Sequence, residues 1–336
     1  MKDTYKKRIF SIPFNGDLKL MKWAINTGQV KEIYFASLSM KTLSLQCDAS
    51  PHFYNEDTIN ELLEICRNKG VETNLLVNQL TLIQENMDTC VKYIKGLKYL
   101  SSLTIGDPLA VDFFIRSFPG LDIQASIIMN LYSVNMIENL LKRGIGTISL
   151  PPEFSRNYQI LKRLSLLKRK YPKFKIKLFI SYICYSDCPF MMSHFALRAF
   201  RSFRAVKNKR IEAYLYKDYC MNHPEKAELI KRPFVRPEDI DNLIDSGFAD
   251  YLKIIYRFDD STILQKKLSA YFERVFQGNL FEIIPYPYSL GNNKVFFCDN
   301  RKFPKDFFSK VFHCKKICFN CNYCDRVAQL VIKVKN

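Results

Sequence analysis

EDTINELLEICRNKGVETNLLV, residues Glu56–Val77, holds one unit of the pattern that decides the fold. Ile59, Leu62, Leu63 and Cys66 fall at i, i+3, i+4 and i+7, the apolar stripe of a helix over Glu56–Asn68. Asp57 and Thr58 stand at its start, where acidic and capping residues belong. The apolar run Val71–Val77 then reads as a strand. Further strands are expected at Ile9–Phe14, Glu32–Ala36, Ser102–Gly106, Asp122–Ile127, Thr147–Leu150 and Lys175–Ser181, with amphipathic stretches between them. A helix over Arg236–Ser246 followed by a strand over Tyr251–Ile255 supplies the eighth unit. Alternating units of this length imply parallel strands with crossover helices. Eight of them predict a closed (β/α)8, TIM-like barrel. An open doubly wound sheet is the runner-up, disfavoured because the chain has only 11 glycines and no G-x-G-x-x-G after its first strand. A P-loop and an H-E-x-x-H motif are also missing from the sequence.

From about Gln277 the rhythm stops. An aromatic segment, NLFEIIPYPYSLGNNKVFF (Asn279–Phe297), leads there to a cysteine-rich tail. The expected organisation is a barrel over residues 1–276 and a small extension over 277–336, folded onto it. With 336 residues, 48% of them apolar, the chain has ample material for a core. No apolar run approaches the roughly 20 residues that span a bilayer. The start, MKDTYKKRIF, is polar and lacks a signal-peptide core. A cytoplasmic location is expected, and its reducing conditions favour free or metal-bound thiols over disulfides.

The 51 Lys and Arg against 33 Asp and Glu give a net charge of +18. Part of it is concentrated in Lys162–Lys177 and Arg198–Arg210, where Arg198, Arg201 and Arg204 recur every three residues on one helical face. Such stripes suit RNA phosphates or an acidic peptide; the plainer reading is a solvated helix face.

Seven of the eleven cysteines fall into two groups. The tail reads HCKKICFNCNYCDR (His313–Arg326), so Cys314, Cys318, Cys321 and Cys324 have the spacing C-x3-C-x2-C-x2-C. That is too tight for independent disulfides and dense enough for thiolates converging on one centre, zinc or iron–sulfur. The second group lies in KIKLFISYICYSDCPFMMSHF (Lys175–Phe195) and KDYCMNHPEK (Lys217–Lys226). Cys184 follows the expected strand end by three residues, at the face where βα barrels place their chemistry. Cys188 follows at C-x3-C, Pro189 stiffens the loop, His194 lies six residues on, and Cys220 belongs to a later loop. Three thiolates there could hold three irons of a 4Fe–4S cluster, with Cys298, Cys47 or a tail thiol as a fourth ligand. Met191 occupies the third cysteine position of the radical S-adenosylmethionine signature, which argues against that chemistry. Buried, inert thiols are the plain alternative.

Six segments occur in an order that resembles the collagenase-like peptidase family U32, and within it a divergent iron–sulfur branch. They are IGDPLAVDFF, IQASIIMNLYS, GIGTISLPPEFSRN, SYICYSDCPFMMSHF, KRPFVRPEDID and YLKIIYRF, and the similarity as a whole runs roughly from Glu32 to Arg257. C-x3-C-P-F-x3-H and F-V-R-P-E-D followed by K-I-x2-R are the strongest pieces. The resemblance implies a TIM-like barrel with Cys184, Cys188 and Cys220 as cluster ligands. Relatives hydroxylate quinone precursors without oxygen, or RNA; their substrate does not transfer, and oxidation, hydroxylation or other modification of an RNA, a peptide or a small aromatic compound is expected here, with the electron donor left open. The resemblance does not cover the four-cysteine tail. In the second motif Arg236, Lys253 and Arg257 are candidates to hold an anionic substrate, whereas Glu238 and Asp239 fit a helix start. A zinc-stabilised barrel that binds RNA or protein without catalysis, and a peptidase, are the competing readings. Hetero- or homo-oligomers are compatible with all of them.

Overall fold

In a computed structural model, residues 7–37, 54–80, 82, 84–182, 184–202, 225–255, 259–284 and 295–335 are described. Eight parallel strands close into a barrel in sequence order. They are β1 Phe10–Pro13, β2 Val30–Phe35, β3 Glu72–Val77, β4 Ser102–Ile105, β5 Asp122–Ala125, β6 Thr147–Ser149, β7 Lys175–Phe179 and β8 Tyr251–Lys253. Pairing of Phe10 with Leu252 and of Ser11 with Lys253 closes the ring. Around it run α1 Leu18–Asn26, α2 Glu56–Lys69, α3 Gln84–Gly96, α4 Val111–Ser117, α5 Val134–Lys142, α6 Tyr158–Lys170, α7 Met191–Ser202, α8 Lys226–Lys231, α9 Ile240–Asp245 and α10 Ser261–Glu273. The expected (β/α)8 barrel is therefore present. Among the described residues no helix is long and apolar enough to cross a membrane.

The α2–β3 unit shows how the sequence folds locally. Asn55 accepts the Thr58 N–H as N-cap, and Ile59, Leu62, Leu63 and Cys66 are buried. Gly70, at φ 62, ends the helix in the left-handed conformation that glycine adopts without strain. At the other end of the sheet, a Cβ on Gly106 would stand 2.5 Å from the Gln79 carbonyl oxygen, so the loop after β3 lies directly on the end of β4.

Alternation along the strands sorts the barrel into two environments. Ile12, Ile33, Leu75, Leu103, Ile123, Ile148, Ile176 and Leu252 join the helices in one hydrophobic core. The intervening positions carry Ser11, Glu32, Asn74, Ser102, Gln124, Thr147, Lys177 and Lys253, all buried. At the centre Lys177 Nζ donates to Glu32 Oε1 at 2.6 Å, to Glu32 Oε2 at 2.8 Å and to Gln124 Oε1 at 2.6 Å. Ser11 donates to Glu32 Oε1 at 2.6 Å and Gln124 Nε2 to Glu32 Oε2 at 3.1 Å. A hydrogen-bonded ion pair thus fills space that branched aliphatic layers commonly occupy in such barrels.

The extension adds α11 Phe307–Phe312, α12 Tyr323–Val331 and an antiparallel pair, β9 Val295–Cys298 with β10 Ile332–Lys335. Its core is a second hydrophobic cluster in which Phe281, Cys298, Phe307, Val327 and Val331 pack with Leu229, Ile230 and Phe234. Helix α8, inserted between β7 and β8, thus forms part of the seat on which the tail rests.

Candidate metal centre at the barrel mouth

The loop after β7 brings Cys184 and Cys188 to the C-terminal face of the barrel, both partly exposed. Their thiols are hydrogen-bonded to each other, and that bond draws Cys188 down to about 7 from the usual thiol value. Burial opposes this shift, and the backbone N–H groups of Phe190 and Met191 assist it. Two sulfurs in contact, one of them readily ionised, are a donor pair suited to a thiophilic metal. Cys220, the third expected ligand, lies outside the described residues, as does Cys47. Cys298 is fully buried in the core of the extension, and burial pushes its thiol far above the ordinary range. Among the described residues no group of three or more His, Cys, Asp or Glu side chains is drawn together as a metal site.

Two further residues belong to this face and were not singled out from the sequence. Glu153 and Arg156 lie in the short 3-10 turn Pro152–Arg156 that follows β6. Glu153 is buried; its Oε1 accepts the Asp187 N–H at 3.0 Å and its Oε2 accepts the Tyr132 hydroxyl at 3.3 Å. Burial raises its carboxyl above the usual range, and the backbone N–H donors offset only part of that. Arg156 is also buried, with its guanidinium 4.1 Å from the Phe234 ring centroid. Their signal was the one that marked Cys184: a polar residue just beyond a strand's C-terminal end.

The remaining candidates are spread around this face. His194 is half-buried on α7, its N–H bonded to Phe190 O at 2.8 Å. Lys253, at the end of β8, is buried with Nζ 4.0 Å from the Tyr34 ring centroid and 5.6 Å from that of Phe179. Arg257 lies outside the described residues. Arg236 is buried and pairs with Asp239, Nε to Oδ2 at 2.7 Å and Nη2 to Oδ1 at 2.8 Å, while its guanidinium faces Phe303 at 4.6 Å. Glu238 Oε1 accepts the Phe276 N–H at 2.7 Å and Asn300 Nδ2 at 2.8 Å. The R-P-E-D segment therefore fastens the extension to the barrel.

The four tail cysteines arrive at the same face. Cys314, Cys318 and Cys324 border a hollow of about 300 Å3 with Glu153, Arg156 and Asp187. Lys316 Nζ pairs with Asp187 Oδ2 at 3.2 Å, which ties the tail to the loop that carries Cys184 and Cys188. Cys314, Cys318 and Cys321 are exposed, and Cys324 is half-buried. Burial pushes the Cys324 thiol up to about 11.

Of the basic stripes, Arg198 and Arg201 fall on α7 with side chains outside the described set, and Arg204 lies outside it altogether. In the Lys162–Lys177 segment three cations already have partners: Lys168 with Asp250, Lys170 with Glu138 and Lys177 with Glu32.

Known proteins match the sequence and the fold of this chain. A model of peptidase family U32 fits residues 16–277. An uncharacterized protease of Methanocaldococcus jannaschii is 27% identical over 257 residues, which are 72% of this chain and 73% of that protein. The solved structure of a U32 peptidase superimposes with a TM-score of 0.53 at 9% identity, over 76% of this chain and 95% of that one. At that identity the superposition speaks for the fold alone.

Proposed function

Because this chain belongs to peptidase family U32, we propose that it is an iron–sulfur enzyme that oxidises or hydroxylates an RNA, peptide or small aromatic substrate without oxygen. The observation that carries this reading is the hydrogen-bonded Cys184–Cys188 pair, held beyond β7 at the face where βα barrels perform their chemistry. With Cys220 they would hold a 4Fe–4S cluster. Bound there, such a group supplies electron transfer or, at an iron without a protein ligand, Lewis-acid activation.

The chain's own residues set the conditions around that site. Glu153, with its carboxyl raised by burial and its two oxygens held by Asp187 and Tyr132, would exchange a proton with a substrate brought to the cysteine loop. Lys253 presents a cation on the inner wall of the barrel mouth, and His194 borders the cysteine loop from α7. The aromatic rings of Tyr34 and Phe179 around Lys253 keep water away from that wall.

The full chain, purified without oxygen, is expected to be brown and to contain iron and sulfide. Cys184→Ser/Cys188→Ser is expected to lose the barrel's share of that iron while keeping the circular dichroism of the parent. Purification with zinc alone would turn the reading towards a structural, non-catalytic barrel. Peptide hydrolysis is the second reading, favoured by the likeness to the Methanocaldococcus protease. Equal peptide cleavage by the parent and the double variant would establish it instead.

A further inference from the structure

The three exposed tail thiols are unlike the cysteines on the barrel's helices. Cys66 and Cys90 are fully buried among apolar side chains, and burial pushes both thiols up. Cys314, Cys318 and Cys321 stand in the open. One backbone donor meets a tail sulfur, and short turns bring the others into sequence around it. Lys316 adopts a left-handed conformation, φ 56, and its N–H points at Cys314 Sγ at 3.2 Å. Cys318 and Cys321 flank a single 3-10 turn closed by the Cys321 N–H to Cys318 O at 3.2 Å, and Cys324 opens α12 one residue after Tyr323.

Beneath Cys314, Cys318 and Cys324 lies a cation whose hydrogen bonds are not all met, since Asp239, the carboxylate that pulls on it, is already held by Arg236. Arg156 is only 6% exposed and lines the same hollow as Cys314, Cys318 and Cys324. Nη1 donates to Ile230 O at 2.8 Å, whereas Nε and Nη2 have no partner among the described residues. Leaving guanidinium N–H groups buried and unmatched is costly, so the hollow calls for an acceptor with negative charge. The carboxylates bordering it are engaged: Glu153 by Asp187 and Tyr132, Asp187 by Lys316, and Glu228 by Lys231.

We propose that Cys314, Cys318, Cys321 and Cys324 form a tetrathiolate metal site seated over Arg156, whose guanidinium balances the site's excess negative charge. Four thiolates around Zn2+ leave a net charge of about −2, and the same four around an oxidised 4Fe–4S cluster leave the same charge. Either occupant gives Arg156 its missing partner. Closing on the metal draws Cys321 to the three sulfurs at the rim of the hollow and fixes the tail across the barrel mouth. The site needs no ligand from Cys184 or Cys188, so it stands whether or not the barrel carries a cluster.

The test uses the full chain, purified without oxygen, with zinc, iron and sulfide measured per chain. Cys318→Ser/Cys321→Ser is expected to lose one centre, read as zinc or as iron with sulfide, and Cys184→Ser/Cys188→Ser is expected to keep it. Arg156→Met should weaken the hold on that metal against a competing chelator by roughly 10–100-fold, the range for partners that support metal ligands. Arg156→Gln, which retains a donor but removes the charge, replaces it if the Met variant does not fold. Metal content unchanged in the tail variant, or chelator resistance unchanged in a folded Arg156 variant, would overturn the proposal.

Discussion

Lys177→Met is expected to destabilise the barrel by about 3–5 kcal/mol, the usual cost of stranding one member of a buried ion pair. Lys177 and Glu32 both have side chains 0% exposed, and no solvent reaches the carboxylate that the substitution leaves behind. Burial by itself pushes the Glu32 carboxyl up. The Lys177 ammonium, with hydrogen bonds from Lys177 and Ser11, outweighs burial and holds it below the ordinary value. The sign of the pH dependence follows. In the parent this stabilisation is fully present above the unfolded pKa of about 4.3 and is lost as pH falls through the lower folded value. In Lys177→Met the ammonium is gone, the folded carboxyl prefers its proton, and stability rises as pH falls. Glu32→Gln/Lys177→Met removes both charges and should recover most of the loss. Urea denaturation of the three proteins at neutral and acidic pH reads both effects. A single variant within about 1 kcal/mol of the parent would show that the pair is not what holds the barrel's centre together.

The second large effect is expected at Arg236. Arg236→Met leaves Asp239, 4% exposed, without the two hydrogen bonds that now meet its carboxylate. Burial already raises that carboxyl, against the opposing pull of Arg236 and Arg156. A loss of about 3 kcal/mol is expected. It should be concentrated in the extension, because the guanidinium also lies over Phe303 and Phe307 at 4.6 and 5.5 Å. Hydrogen exchange should show residues 303–312 losing protection before the barrel helices do. Arg236→Met/Asp239→Leu should restore much of the stability. If Arg236→Met keeps full protection in the extension and loses only turnover, the arginine acts on substrate and not as a clamp.

The barrel was legible because each helix carries its stripe and each strand its apolar outward positions; Ile59, Leu62, Leu63 and Cys66 are a complete instance. The inner wall was not. Glu32 and Lys177 are 145 positions apart, and only closure of the ring makes them neighbours. Cys184 could be placed at the catalytic face from its distance past a strand end, and the same rule applied to Thr147–Leu150 would have drawn out Glu153 and Arg156. The tail's metal-like spacing was visible in the sequence, but its seat was not, since Lys316 and Asp187 are 129 residues apart. Arg236 reads as a cation for an anionic substrate and Asp239 as part of a helix start; the rings of Phe303 and Phe307 that face the arginine come from another part of the chain.

Iron–sulfur binding by the thiols beyond β7 is what we propose. It is tested most directly in the full chain carrying Ser at positions 314, 318, 321 and 324, where bound iron can no longer reside in the tail. Purified without oxygen, that protein is expected to retain iron and sulfide, and a visible absorption that bleaches on reduction with dithionite. A folded, colourless protein without iron would contradict the account.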